Sequence, residues 1–249
     1  MNGISDTFQT LCVLESIVKG LLTTKKAISA TQLKRYHDCD FPHFDSAVTY
    51  GESAGILAMH KYGIIELTDV NWKIPEREFY DPCIGLIGSL WKTLGYQQNK
   101  FFIENTSAKD SRISGRWTRP DLTMISRRTF AWTKGEEFDV TTFEIKRPDS
   151  CNVLAVFEAL SHASAATKAY VVFPIDEKRW KEADSAQAER VVEECNRHGI
   201  GLILINDIGG AAKPVHFISA QRRNIDHQKC SDFLEAVLSN GGKHHIAKW

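Results

Sequence analysis

Residues 138–146 read Phe-Asp-Val-Thr-Thr-Phe-Glu-Ile-Lys, and no other stretch limits the fold so tightly. It is rich in β-branched and aromatic residues, the composition of a strand. Side chains on a strand alternate between faces, so Phe143 and Ile145 share one side and Glu144 and Lys146 the other. The apolar pair asks for a core beneath it, and the charged pair projects from the opposite face. The neighbours of such a strand are legible too. Residues 101–105, 121–126 (opening after Pro120), 170–173 (stopped by Pro174) and 201–205 have strand composition. Apolar residues at helical spacing mark helices over 79–94, 153–166 and 184–198, and a further helical extension is expected at 232–238. The order α-β-β-β-α-β-α-β predicts an α/β fold, a mixed sheet with helices on both faces.

The chain before Pro75 reads differently. Phe8, Leu11, Cys12, Leu14, Ile17, Val18 and Leu21 recur at helical spacing. A second helix starts near Ser29, with Ser29 and Gln32 placed as a capping box. A third is expected over 46–62, ended by Gly63, followed by short strands at 64–67 and 72–74 around a turn at 69–71. Three helices and a small hairpin resemble a winged helix-turn-helix. Pro75 gives the boundary, with a small helical domain over 1–75 and a larger domain over 76–249.

Composition narrows the setting. Thirty-one basic and 31 acidic residues cancel, so there is no overall basic signature of nucleic-acid binding, and any such contact rests on a local stripe. Cys12, Cys39, Cys83, Cys151, Cys195 and Cys230 are scattered without a CxxC, as in reduced, mostly buried thiols of a reducing compartment. No run is apolar enough for a membrane span, and no signal-peptide pattern opens the chain, so a cytoplasmic protein without a membrane partner is expected. His37, Cys39 and His43 fit no standard zinc spacing. Neither GxGxxG nor GxxxxGK[ST] occurs.

The chemistry centres on Pro120-Asp121 and Glu144-Ile145-Lys146. If the strand carrying Asp121 lies beside the strand carrying Glu144, two carboxylates converge with a lysine beside them. A hard, oxygen-rich site of this kind suits magnesium, which binds one or two carboxylates and keeps several waters. The Ile145 carbonyl is a further candidate metal ligand, and Lys146 is placed to orient or deprotonate water or to neutralise a phosphate. Two adjacent acids repel, so the site is expected to gain stability with metal. The plainer reading of the same residues is an ordinary Glu and Lys on an exposed strand edge.

Arg-Pro-Asp-Leu-Thr at 119–123, then Phe-Glu-Ile-Lys-Arg-Pro at 143–148, in an αβββαβ order, resembles the PD-(D/E)XK superfamily of restriction-endonuclease-like nucleases. The resemblance covers roughly residues 76–205. It implies a restriction-endonuclease-like mixed sheet and hydrolysis of phosphodiester bonds with Mg2+, for which Mn2+ substitutes. Asp121, Glu144 and Lys146 take the motif positions. Glu78 is offered as the additional acid ahead of the first helix, with Glu76 and Asp81 as neighbours. The gap between Asp121 and Glu144 implies an extended hairpin around 127–137. DNA is the favoured substrate by this analogy, in restriction, defence or repair, and a homodimer fits cutting of both strands. An RNA-cleaving nuclease and a non-catalytic binding subunit are the alternatives.

Further residues surround this centre. Glu158 and His162 stand one helical turn apart on the helix after the motif strand. Lys109, Arg112, Arg116 and Arg119 approach Asp121 and could track a phosphate backbone. Arg127, Arg128 and Lys134 fall in the expected hairpin, where Trp132 could stack on a base, and Arg147 follows Lys146 directly. In the N-terminal domain the candidate recognition helix presents Ser46, Thr49, Tyr50, Glu52 and Ser53 but little basic charge. A protein partner there is as good a reading as DNA.

Overall fold

The computed structural model describes residues 4–24, 27–36, 41–107 and 119–249. The chain forms two compact units that divide between Glu78 and Phe79, within a 3-10 turn that follows Pro75. His37, Cys39, Lys109, Arg112 and Arg116 lie outside the described residues.

The first unit runs α1 (Asp6–Thr23), β1 (Ala27–Ser29), α2 (Ala30–Tyr36), α3 (Phe41–Ser53), β2 (Leu57–His60) and β3 (Ile64–Leu67). The strands form an antiparallel sheet in the order β1-β3-β2. The Ser5 hydroxyl caps α1 by accepting from the Phe8 N–H at 3.3 Å, and the Ser29 hydroxyl does the same for α2 by accepting from Gln32 at 3.2 Å. Leu14, Ile17, Leu21, Leu33, Phe44, Ala47 and Ile65 make the core, drawn from all three helices and the sheet.

Two expectations fail here. The third helix stops at Ser53, not Tyr62. Gly55 takes a left-handed φ of 70°, and the Gly55 and Ile56 N–H groups fold back to donate to Glu52 and Gly51 carbonyls at 3.1 and 2.8 Å. The segment beyond this stop then forms β2, and the hairpin is β2–β3 around Lys61–Gly63, where Tyr62 and Gly63 both have positive φ. Residues 72–74 are therefore not a strand. β3, the strand they were expected to pair with, already has β1 and β2 on its two edges, and Trp72 packs on the core instead. Ser46, Thr49, Tyr50, Glu52 and Ser53 are exposed on α3, and Tyr62 stands almost fully exposed at the hairpin tip.

The second unit runs α4 (Tyr80–Thr93), β4 (Phe101–Asn105), β5 (Leu122–Thr129), β6 (Glu136–Ile145), α5 (Val153–His162), β7 (Lys168–Phe173), α6 (Glu177–Ala183), α7 (Ser185–His198), β8 (Gly201–Asn206), β9 (Lys213–Ile218), α8 (His227–Val237) and α9 (Asn240–Ile246). Its sheet has six strands in the order β4-β5-β6-β7-β8-β9. β6–β7 and β7–β8 are parallel and the other pairs antiparallel, so the unit is mixed α/β. β6 lies inside the sheet and is buried almost throughout from Asp139 to Ile145, which excludes the exposed-edge reading of Glu144.

Helices cover both faces. On one, Trp91 of α4 meets Phe143 and Tyr170 edge-on at centroid distances of 5.5 and 5.6 Å. On the other, α5 and α7 bury Val156, Ala159, Val191 and Cys195 against Val171, Phe173, Leu202 and Leu204. α8 adds Cys230, Phe233 and Val237 over Ile125 and Val140. Cys12, Cys83, Cys151, Cys195 and Cys230 are free thiols. None of the described helices is long and apolar enough to cross a membrane.

The extended hairpin expected before Glu144 is present, with longer strands than the composition marked. Arg127 and Arg128 pair with Phe138 and Glu137 as rungs of the β5–β6 ladder, so the extra length between Asp121 and Glu144 is strand, and the loop is only 130–135.

Candidate active site

The site forms where β5 begins and β6 ends. Leu122 pairs with Phe143, so Asp121 and Glu144, one residue further out on each strand, stand side by side. The turn into β5 is fixed from behind. The buried Thr106 hydroxyl donates to the Pro120 carbonyl at 2.8 Å and lies 3.1 Å from the Thr123 hydroxyl, and the Thr106 N–H donates to the Asp121 carbonyl at 2.8 Å. Arg119 ties the same turn to the Ser107 carbonyl at 3.2 Å. Asp121 Oδ2 accepts from the Ile145 N–H at 2.7 Å, a bond that aligns the two strand ends through a carboxylate.

Beyond Ile145 the ladder continues for one rung, the Lys146 N–H donating to the Val172 carbonyl at 3.1 Å. The Lys146 ammonium lies 2.7 Å from Glu144 Oε1 and 2.5 Å from Glu158 Oε2. His162 Nε2 lies 3.1 Å from Glu144 Oε2. Glu158 and His162 reach the site because α5, capped by Asn152, crosses over the sheet between β6 and β7 and aims two residues four apart at the end of β6. Asp121 and Glu144 are each 8% exposed and His162 is 4% exposed.

Burial is the dominant electrostatic fact. Two carboxylates, Glu144 and Glu158, share one ammonium, Lys146, and Asp121 stands beside Glu144 on the neighbouring strand. Burial pushes Glu144 up to about 7; Lys146 opposes that rise, and Glu158 adds to it. The Cys83 thiol, fully buried in α4, is also pushed up, first by burial and then by the negative charge of Asp121.

The residues fit a divalent cation by donor chemistry and by charge. Two adjacent carboxylates with surplus negative charge form the kind of partial oxygen shell that magnesium completes with water. Among the described residues, no three His, Cys, Asp or Glu side chains are gathered closely enough to hold an ion by themselves.

Glu78 lies at the end of the first unit and pairs with Arg77 at 3.2 Å. Asp81, in the first turn of α4, is exposed. Arg147 forks onto Asp149 at 2.6 and 2.8 Å. Arg127 bonds Glu136 at 3.3 Å and the Trp249 carbonyl at 2.6 Å, and Arg128 lies over the rings of Tyr96 and Phe130. Both arginines sit toward the far end of β5 from Asp121.

The ion pair from Lys146 to Glu158 and the contact from His162 to Glu144 gather residues that the sequence suggests only by helical spacing. Compared with known protein families and with curated proteins, the chain matches none of either.

Proposed function

We propose that the chain is a metal-dependent nuclease of the PD-(D/E)XK class that hydrolyses phosphodiester bonds, with DNA as its substrate. The observation that carries this reading is the side-by-side placement of Asp121 and Glu144, with Asp121 fixed by the Ile145 N–H at 2.7 Å and Lys146 held 2.7 Å from Glu144. The succession α4-β4-β5-β6-α5-β7 supports the restriction-endonuclease-like αβββαβ core. In the first unit, the order helix-strand-helix-helix-strand-strand supports a winged-helix module that docks DNA or a protein partner.

Asp121, Glu144 and the Ile145 carbonyl would hold magnesium or manganese. A divalent ion there would supply neutralisation of phosphate charge and acidification of water. The chain's own residues do the positioning. The Ile145 N–H keeps the Asp121 carboxylate turned toward β6. His162 holds one Glu144 oxygen while Lys146 takes the other, fixing the plane of that carboxylate. Lys146, at the mouth of the pair, orients the attacking water or steadies the phosphate. Glu158 keeps the ammonium at that position and offsets part of its charge.

The test is cleavage of plasmid, linear duplex, single-stranded DNA and RNA with magnesium or manganese, comparing wild type with Asp121→Ala and Lys146→Ala. Metal-dependent cutting lost in both variants upholds the reading, and the panel separates DNA from RNA. A second reading is a non-catalytic binding subunit on the same fold. It is favoured by both Glu144 oxygens being engaged by the chain itself, and it predicts no cutting and no thermal stabilisation by either metal.

A further inference from the structure

The far end of the sheet holds a different chemistry. A cavity of about 260 Å³ opens where β5 meets the end of α4, lined by Tyr96, Gln97, Lys100, Arg127, Arg128 and Phe130 among others. Its wall carries Lys100, Arg127 and Arg128 against one acid, Glu136, which pairs with Arg127 at 3.3 Å. The Arg128 guanidinium carbon is 5.2 Å from the centre of the Tyr96 ring and 4.9 Å from that of Phe130, so two rings fix the orientation of its plane. Arg127, next along the strand, is already held by Glu136 at 3.3 Å and by the Trp249 carbonyl at 2.6 Å, which leaves Arg128 and Lys100 as the cations to offer. Phe130 is 42% exposed, and Trp132, two residues on, is 98% exposed at the hairpin tip. An oriented guanidinium, a lysine beside it and a part-exposed aromatic ring together suit an anion attached to a planar ring.

We infer that this cavity is a second nucleic-acid contact, in which Arg128 and Lys100 hold a backbone phosphate and Phe130 meets the adjoining base. Arg128 lies seven positions along an extended strand from Asp121, roughly 23 Å at about 3.3 Å per residue. At about 3.4 Å per base pair this is on the order of seven base pairs. The spacing rests on the nuclease reading of the carboxylate pair, because it sets the shortest DNA that reaches both places. The contact itself does not.

The experiment uses the full chain in EDTA, so that binding is read without cutting. Fluorescence anisotropy follows a labelled duplex of about 20 base pairs and a stem-loop of about four base pairs across a salt series, for wild type, Lys100→Ala, Arg128→Ala and the double variant. Each phosphate contact contributes about 0.9 to the slope of log affinity against log salt. The double variant is expected to lose nearly 2 from that slope on the long duplex, with about a tenfold or greater loss of affinity, and to bind the stem-loop like wild type. If Arg128→Ala disturbs folding, as a circular-dichroism melt reports, Lys100→Ala alone should still lower the slope by about 0.9. An unchanged slope on the long duplex overturns the inference; an equal loss on both DNAs upholds the contact and removes the seven-base-pair spacing. Asp121→Ala, read in parallel for cleavage with magnesium, reports on the nuclease separately. Wild type that binds with the expected slope but never cuts sinks that reading and leaves the contact standing.

Discussion

Replacing Glu144 with glutamine should make the metal-free protein more stable while abolishing its activity. Glu144 is 8% exposed and its folded pKa is pushed from 4.5 to about 7, chiefly by burial. A carboxyl raised in the folded state stabilises the fold below its unfolded pKa, and that stability is lost as pH rises through the folded value. Between pH 4.5 and about 7 the fold therefore loses roughly 3 kcal/mol from this one group. Glutamine has the shape of the neutral acid and keeps an oxygen for Lys146, which retains its ion pair with Glu158. Glu144→Gln should thus recover on the order of 1–3 kcal/mol at pH 8 and much less at pH 5. For a unit of this size that is a rise of about 2–10 °C in Tm. Differential scanning fluorimetry at both pH values, with and without magnesium, reads it directly. Wild type should gain stability with magnesium at pH 8, and the variant should not. A variant that melts below wild type at pH 8 without metal would refute the claim that burial of the charge, rather than its pairing, dominates at this position.

Other expectations are simpler. Cleavage should rise with pH up to a plateau above about 7, because ion binding needs Glu144 ionised; a rate profile flat from pH 5 to 8 would contradict this. Asp121→Ala leaves the buried Ile145 N–H without its acceptor and should cost about 1–3 kcal/mol in urea unfolding without metal, besides ending activity. Gly201→Ala would place a Cβ 2.1 Å from the Tyr170 ring, across the rung that pairs the two residues, and should cost about 1–3 kcal/mol or more; an unchanged midpoint would mean the ring can move aside. Cys83, buried and with its thiol pushed up, should resist alkylation until the chain unfolds, as mass spectrometry of labelled native protein would show.

The parts of the site that follow a period are the parts legible in the sequence. Alternation along residues 143–146 places Glu144 and Lys146 on one side, and helical spacing puts Glu158 and His162 on one stripe. Which stripe faces the strand end depends on the crossover and the packing of α5, and no local pattern encodes that. Sheet edges leave the weakest trace in the sequence. β9 contains Pro214, which argues against a strand, yet β9 is the last strand of the sheet, where proline is tolerated. β1 is three residues long and is specified by the free edge of β3 rather than by its own composition. Residues 72–74 have strand composition, but β3, their expected partner, is paired on both sides. The end of α3 turned on Gly55, which the helical pattern ran through, while Gly63, expected to end that helix, shapes the hairpin turn. Helix α5 stops at His162, short of the expected Ala166, placing His162 in its last turn rather than mid-helix.

The β5–β6 ladder has a longer reach than its place in the sheet suggests. Eight rungs, from Leu122↔Phe143 to Thr129↔Glu136, separate the acids from the loop at 130–135. A residue gained or lost in that loop can displace Asp121 relative to Glu144 only by slipping every rung, which would turn buried side chains such as Ile125 and Val140 to the wrong face. The loop is therefore insulated from the chemistry. Over evolutionary time its length and sequence can drift, and with them what it touches, while the two carboxylates stay in step.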